Sequence, residues 1–415
     1  MEMQQTKVAI IGAGLTGLCC ARQLLADGIS CQVFEADDRV GGRIVTDRQD
    51  GFLLDRGFQV FLTSYPEAKE VLSYEALNLA PFASGALVHH GGKNRRVVDA
   101  WRQPLQALWS ARSPVVPLRD IPRIIGLRHT ALNAERRRAI PANLSTAEYL
   151  RQLGFSEGAM QRFFRPFFGG VTLDAELAVP ARYFLFLFEM FARGKATLPA
   201  DGMQAIPEQI AASLPPGTLQ LETTITKLAG NQLELDCGDR VEAEHVVVAT
   251  EASAAARLLG TEFEAPASNS TTTVYYGADR SELGEPILLL KGDGSGPVNH
   301  VCFPSDVQSS YAPQGAALAS VSVLGIEESS DLELDHAVRK QLRSWMSDAV
   351  DRWQLLRIDR IKRALPRISD AEGLGFRAVS NTVTLCGDHL LTPSIQGAMV
   401  AGRHAAEHAR QSITG

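Results

Sequence analysis

No run in this chain is apolar for the roughly 18–20 residues that a bilayer-spanning helix needs. Cysteine is sparse: the six are Cys19, Cys20, Cys31, Cys237, Cys302 and Cys386. None stands in a C-x-x-C pair, so neither a disulfide framework nor a zinc site is expected, and no metal is expected. Buried, reduced thiols in a cytoplasmic protein are the plain reading. There is no surplus of positive charge. A net charge of −6 over 415 residues argues against nucleic acid as a partner. Residues 1–6 are polar and too few for a signal peptide. The histidines are scattered, and no acid–base pair is visible. What remains, 45% apolar and 21% charged, is the composition of a globular protein with a sizeable core. The length suggests two or three domains.

The first fifty residues carry the densest signal. Residues 8–11 are a short β-branched run, as a buried parallel strand should be. Gly12, Gly14 and Gly17 follow with G-x-G-x-x-G spacing, enclosing Leu15 and Thr16. The first glycine permits a tight turn, the second lets backbone approach a pyrophosphate, and the third lets helix and strand pack closely. The helix that opens here points free N–H groups and its positive dipole end at the phosphates. Leu15, Leu18, Ala21, Leu24 and Leu25 give it one apolar face, and Gly28 is a stop. Residues 30–34 read as a second strand, with Glu35 at its end before Ala36. A carboxylate there accepts hydrogen bonds from a ribose diol and disfavours a 2′-phosphate. Strand, glycine turn, helix and an acid about 20 residues on make a dinucleotide-binding unit.

Asp37-Asp38-Arg39-Val40-Gly41-Gly42-Arg43 comes next. This run resembles the signature of the FAD-dependent amine oxidase superfamily, which includes monoamine oxidases, protoporphyrinogen oxidases and carotenoid desaturases. The resemblance implies that FAD is the cofactor, with the amides of Gly41 and Gly42 and the cation of Arg43 at its phosphates. Residues 51–61 look like that family's next segment, where a strand and a glycine loop pass the isoalloxazine ring. Asp55, Gly57, Phe58 and Gln59 are the positions of interest, and Gly57 permits close backbone approach. The resemblance also implies a backbone contact to adenine at Ile225 and a strand ending under the FAD at Ala249 and Thr250. Near the C-terminus, Gly387 and Asp388 end a strand, and residues 393–399 open a helix. In the family this aspartate meets the ribityl or phosphate region. The helix start, with Ile395, Gln396 and Ala398, faces the flavin N1–O2 edge and stabilises the charge of reduced flavin. No motif for covalent attachment is seen, and no second glycine fingerprint for NAD(P).

The middle of the chain is less specific. Residues 95–138 are rich in arginine, with Trp101, Leu105, Leu108, Trp109, Ile121, Ile124 and Ile125 interleaved. A solvated helical face is the simpler reading, and peripheral contact with an anionic membrane surface is the other. Residues 162–170 are aromatic and punctuated by Pro166, Gly169 and Gly170. Residues 183–192 are apolar nearly all round, hence a buried helix. Their phenylalanines form the core of a helical unit or line a long apolar cavity, core being the plainer reading. Residues 219–228 and 271–276 read as strands, and residues 334–353 as an amphipathic helix.

The implied architecture is α/β: a Rossmann-like FAD-binding domain (residues 1–95, 200–265 and 367–415) and an inserted α+β substrate domain of mixed sheet plus helices (residues 96–199 and 266–366). The site belongs in the cleft between them. Amine-oxidising members commonly carry a lysine on a strand of the substrate domain, and an aromatic cage residue three positions before the Gly-Ala of the last helix. Here the first candidate strand holds Thr271-Thr272-Thr273 and no lysine, and Ser394 takes the cage position. Phe58, Tyr275 and Ser394 are the substrate-facing candidates; no catalytic acid or base is assigned. These departures point to a dehydrogenase or desaturase passing hydride from an apolar, isoprenoid-like substrate to flavin N5, with quinone or oxygen as electron acceptor. Oxidation of an amine or a porphyrinogen on the same scaffold is one alternative. A non-catalytic flavin-binding lipid or pigment carrier is another.

Overall fold

The computed structural model describes residues 3–99, 101–103, 115–369 and 373–414. Leu105, Leu108 and Trp109 of the basic segment lie outside them.

Four parallel strands form the centre of an eight-stranded sheet: Cys31–Phe34, Met3–Ile11, Arg240–Val248 and Val383–Cys386. Their apolar side chains are covered on both faces, as in doubly wound sheets. The register pairs Ile11 with both Phe34 and Val248, and Val248 with Leu385. The carboxyl ends of these four strands therefore stand level. Gly12, Glu35, Ala249–Thr250 and Gly387–Asp388 come to one edge, where open α/β sheets bind ligands. The helices Leu15–Ala26 and Ile395–Thr414 pack against each other beside this sheet.

The second sheet has seven strands in the order Gln354–Pro366, Ser268–Ala278, Ala317–Leu324, Val298–Cys302, Leu289–Lys291, Gly85–His90 and Lys93–Val98. The last two form a hairpin turned at Gly91-Gly92. Residues 85–95, placed above with the first domain, thus extend the second sheet through the pairing of Gly85–His90 with Leu289–Lys291. The helices Ile121–Leu132, Thr146–Gln152, Arg165–Thr172 and Ala181–Arg193 enclose a phenylalanine-rich core.

Three further expectations change. Residues 219–228 are two strands, Leu219–Gln220 and Ile225–Ala229, on opposite edges of the first sheet. The chain turns between them at Glu222, whose φ is +50°. The aromatic run is not broken by Pro166 and its glycines: Met160–Phe164 forms a wide π turn that leads directly into Arg165–Thr172. Inside a continuous helical run proline lacks an N–H and its ring crowds the preceding turn, and the wider π turn before Pro166 makes room for that ring. The amphipathic helix runs Asp331–Trp345, opened by a reciprocal Ser330–Glu333 cap.

Candidate active site

The glycine turn is shaped by contact on three sides and left open on the fourth. Gly12 has φ +103°, and a Cβ there would sit 3.0 Å from the Ala249 carbonyl oxygen. A Cβ on Gly17 would meet the Gly12 carbonyl oxygen at 1.9 Å, so helix and strand are as close as backbone allows. Gly14 has nothing within 4 Å of its Cβ position. It also caps Leu15–Ala26 without any side-chain acceptor, so the first-turn amides are free for an anion. Gly41 and Gly42 fold back onto this turn: the Gly41 amide donates to the Ala13 carbonyl at 3.0 Å, and Gly14 bridges to Gly41. Glu35 accepts from the amides of Ala13 (2.6 Å) and Asp37 (3.0 Å), which holds its carboxylate at the strand end. The Thr250 hydroxyl is out of reach of solvent and has no partner. An open cradle, uncapped amides and an orphaned hydroxyl fit a pyrophosphate-bearing cofactor.

Arg43 and Asp388 meet from opposite ends of the chain. Arg43 Nη2 lies 2.6 Å from Asp388 Oδ1, and Nη1 donates to the Ala364 carbonyl. Other expected site residues prove to brace the site. Gln59 donates to the carbonyls of Arg43 and Arg56, both at 3.0 Å, fixing the loop that carries Gly57 and Phe58. Gln396 accepts from the Glu67 amide and so satisfies the start of the helix Pro66–Val71. Ile395 and Ala398 lie in the first turn of Ile395–Thr414. Ile225 is buried at the head of its strand.

The strand Phe52–Asp55 leads into that loop and ends on a buried carboxylate. Asp55 accepts from Thr46 Oγ1 (2.5 Å), the Met203 amide (3.0 Å) and the Tyr311 hydroxyl (2.9 Å). Burial outweighs these donors and pushes its pKa up to about 6. Gly202, at φ +89°, lets residues 199–203 press against Thr46.

Of the three substrate-facing candidates, one lines a cavity. A cavity of about 540 Å³ runs from Phe58 and Val60, past Phe82, Phe163, Phe167 and Phe191, to Trp101, Ile121 and Ile125. Several phenylalanines of the aromatic segments therefore face a cavity, while Phe184 is packed in the helical core. Tyr275 does not face it: it is 2% exposed, with its hydroxyl donating to the Asp55 carbonyl at 2.5 Å. Nor does Ser394, whose hydroxyl accepts from the Gly397 amide at 3.0 Å and caps the last helix. His300, one of the scattered histidines not assigned a role above, stands against Phe58. Its ring meets Phe58 edge-on at 5.1 Å, and Asn299 Nδ2 lies 3.1 Å from its Nδ1. With Nδ1 accepting, the proton sits on Nε2, which is buried without a partner. Burial drives the imidazole pKa down to about 4, so the ring is neutral at physiological pH. Only its place behind Phe58 marks it; no local motif could. The lysine on the later strand Leu289–Lys291, Lys291, bonds the Gly296 carbonyl.

A family model for flavin-containing amine oxidoreductases matches residues 15–410. Coproporphyrinogen III oxidase of Propionibacterium freudenreichii subsp. freudenreichii is 31% identical over 172 residues, 40% of this chain and 31% of that protein. A 4,4'-diapophytoene desaturase of Staphylococcus haemolyticus is 44% identical over 50 residues, 12% of this chain and 10% of that protein. The matched segments thus span under a third of either relative. Putrescine oxidase bound to putrescine superposes with a TM-score of 0.71 at 18% identity, covering 98% of this chain and 99% of that one. Among the described residues no helix is long and apolar enough to cross a membrane.

Proposed function

The chain belongs to the flavin-containing amine oxidoreductase family, and from that premise we propose that it binds FAD and oxidises an apolar, isoprenoid-like molecule held in the aromatic cavity. The observation that carries this reading is the wall of that cavity. It is lined mainly by phenylalanine, valine and isoleucine over about 540 Å³, and Phe58, on the loop assigned to the flavin ring, is part of that lining. That volume suits a drug-sized or larger apolar ligand.

Bound FAD supplies the hydride acceptor. The chain's residues supply the rest. The free amides after Gly14 and the cation of Arg43 hold the pyrophosphate, and Glu35 receives the ribose hydroxyls. The N-terminus of Ile395–Thr414 stabilises negative charge at the ring edge. The cavity wall excludes water and orders the substrate's C–H bond. Asp99, the carboxylate on the wall, is paired with Arg102, and His300 is neutral and screened by Phe58. This suits abstraction from carbon without prior deprotonation. Quinone or oxygen takes up the electrons.

A second reading has its own observation. Arg128 and Lys195 stand on the cavity lining, and among the described residues neither forms an ion pair. Two free cations at an apolar site also suit a porphyrinogen bearing carboxylates, the substrate class in the name of the Propionibacterium relative. An anaerobic titration of the yellow protein with carotenoid precursors, porphyrinogens and amines separates these. We expect the flavin absorbance band to bleach with polyene precursors and not with primary amines. Bleaching by porphyrinogens alone selects the second reading, rapid bleaching by amines alone overturns both, and no bleaching by any class revives the carrier.

A further inference from the structure

We propose that the mouth of the aromatic cavity docks on an anionic lipid bilayer, so that an apolar substrate enters from the hydrocarbon phase. The proposal rests on the oxidation reading for its purpose, and on the surface itself for its argument. Six large apolar side chains are exposed among the described residues, and four of them, Trp101, Leu118, Ile121 and Ile125, belong to one short stretch. Leu118 is 61% exposed and Ile125 54%. Leu118, Ile121 and Ile125 are spaced three and four apart, which sets them on one side of Ile121–Leu132 and the turn before it. Trp101, Ile121 and Ile125 also line the cavity, so the exposed ridge is its rim.

Charge decides what covers this rim. The chain carries −6 overall, yet Arg119 is exposed beside Leu118. Arg128 lies over the Trp101 ring at 4.6 Å and, among the described residues, pairs with no carboxylate. The acids nearby are already engaged: Asp99 pairs with Arg102, Asp120 is buried with Arg123 and Ser156, and Glu189 holds Arg137. A second copy of the chain would set arginine against arginine. An anionic lipid headgroup layer complements the cations, and its acyl region accepts the apolar ridge. Substrate dissolved in the bilayer would then reach Phe58 without crossing water.

The test uses full-length holoprotein and sedimented vesicles of phosphatidylcholine, with or without phosphatidylglycerol, and no substrate. The expected result is binding that requires the anionic lipid. Leu118→Asp, exposed and off the cavity wall, should lower partitioning roughly tenfold or more with Tm unchanged. Arg119→Gln should lower it about fivefold. Brominated lipid should quench a tryptophan signal that is missing in Trp101→Phe. No binding to either vesicle, or equal binding by wild type and Leu118→Asp, overturns the proposal. So does a concentration-dependent dimer abolished by Leu118→Asp. Since no turnover is read, failure here leaves the oxidation reading standing, and failure of flavin bleaching leaves the docking result standing.

Discussion

Gly14 and Gly17 stand three residues apart and are glycines for different reasons. At Gly17 there is no room: a Cβ would overlap the Gly12 carbonyl. At Gly14 there is room, and φ is −70°, which alanine adopts freely. Gly14→Ala should therefore fold, losing no more than about 1 kcal/mol at the cap, while FAD binding falls roughly tenfold or more because the methyl occupies the anion's place. Gly17→Ala should lose about 3 kcal/mol or more of stability through overpacking. FAD content and Tm of the two purified variants check this, and a Gly14→Ala protein that keeps its FAD would remove the proposed phosphate site. The spacing of these glycines was legible because the turn is local. The Arg43–Asp388 pair was not, since its members are 345 positions apart and only tertiary structure joins them. Nor was the role of Gln59, because an amide side chain bracing two carbonyls leaves no periodic trace.

At the scale of elements, long periodic segments were readable and irregular ones were not. Ala181–Arg193 and Leu15–Ala26 follow their apolar patterns closely. The strand expected over 219–228 splits because one residue, Glu222, takes a left-handed conformation that its side chain does not advertise. The start of Ile395–Thr414 shows how one residue can be read twice. Ser394 stands where an aromatic cage residue was looked for, yet its hydroxyl bonds the Gly397 amide, as an N-cap should. Nearby, the Tyr183 hydroxyl donates to the Pro393 carbonyl at 2.6 Å, tying the aromatic helix to this same turn. Ser394→Ala should cost about 1 kcal/mol of stability and leave substrate KM unchanged. Ser394→Asp, which keeps a capping oxygen, should restore Tm. An altered KM at unchanged Tm would instead put Ser394 in contact with substrate.

At the scale of the molecule, Asp55 is where the separate parts converge. It closes the strand before the Phe58 loop, and its donors come from Thr46 on the neighbouring hairpin strand and from two distant segments, residue 203 and the Tyr311 turn. Tyr275, from the second sheet, bonds its backbone carbonyl. The sequence placed Asp55 near the ring, but its burial involves Tyr275 and Tyr311, more than two hundred positions away, which no local pattern encodes. That burial has a measurable consequence. The folded pKa is about 6, against an ordinary 3.8. Between those values the folded carboxyl keeps its proton while the unfolded one has lost it. The folded state then binds more protons, so stability from this group is full below about pH 4 and is lost as pH rises through 6. The two-unit separation corresponds to about 3 kcal/mol. Asp55→Asn does not titrate, and its amide oxygen can still accept from Thr46 and the Met203 amide. Urea midpoints measured from pH 4 to pH 7 should therefore diverge, with the variant gaining on wild type as pH rises and the difference levelling off above pH 6. A difference that stays constant across that range would mean Asp55 is ionised throughout, and that the donors around it outweigh its burial.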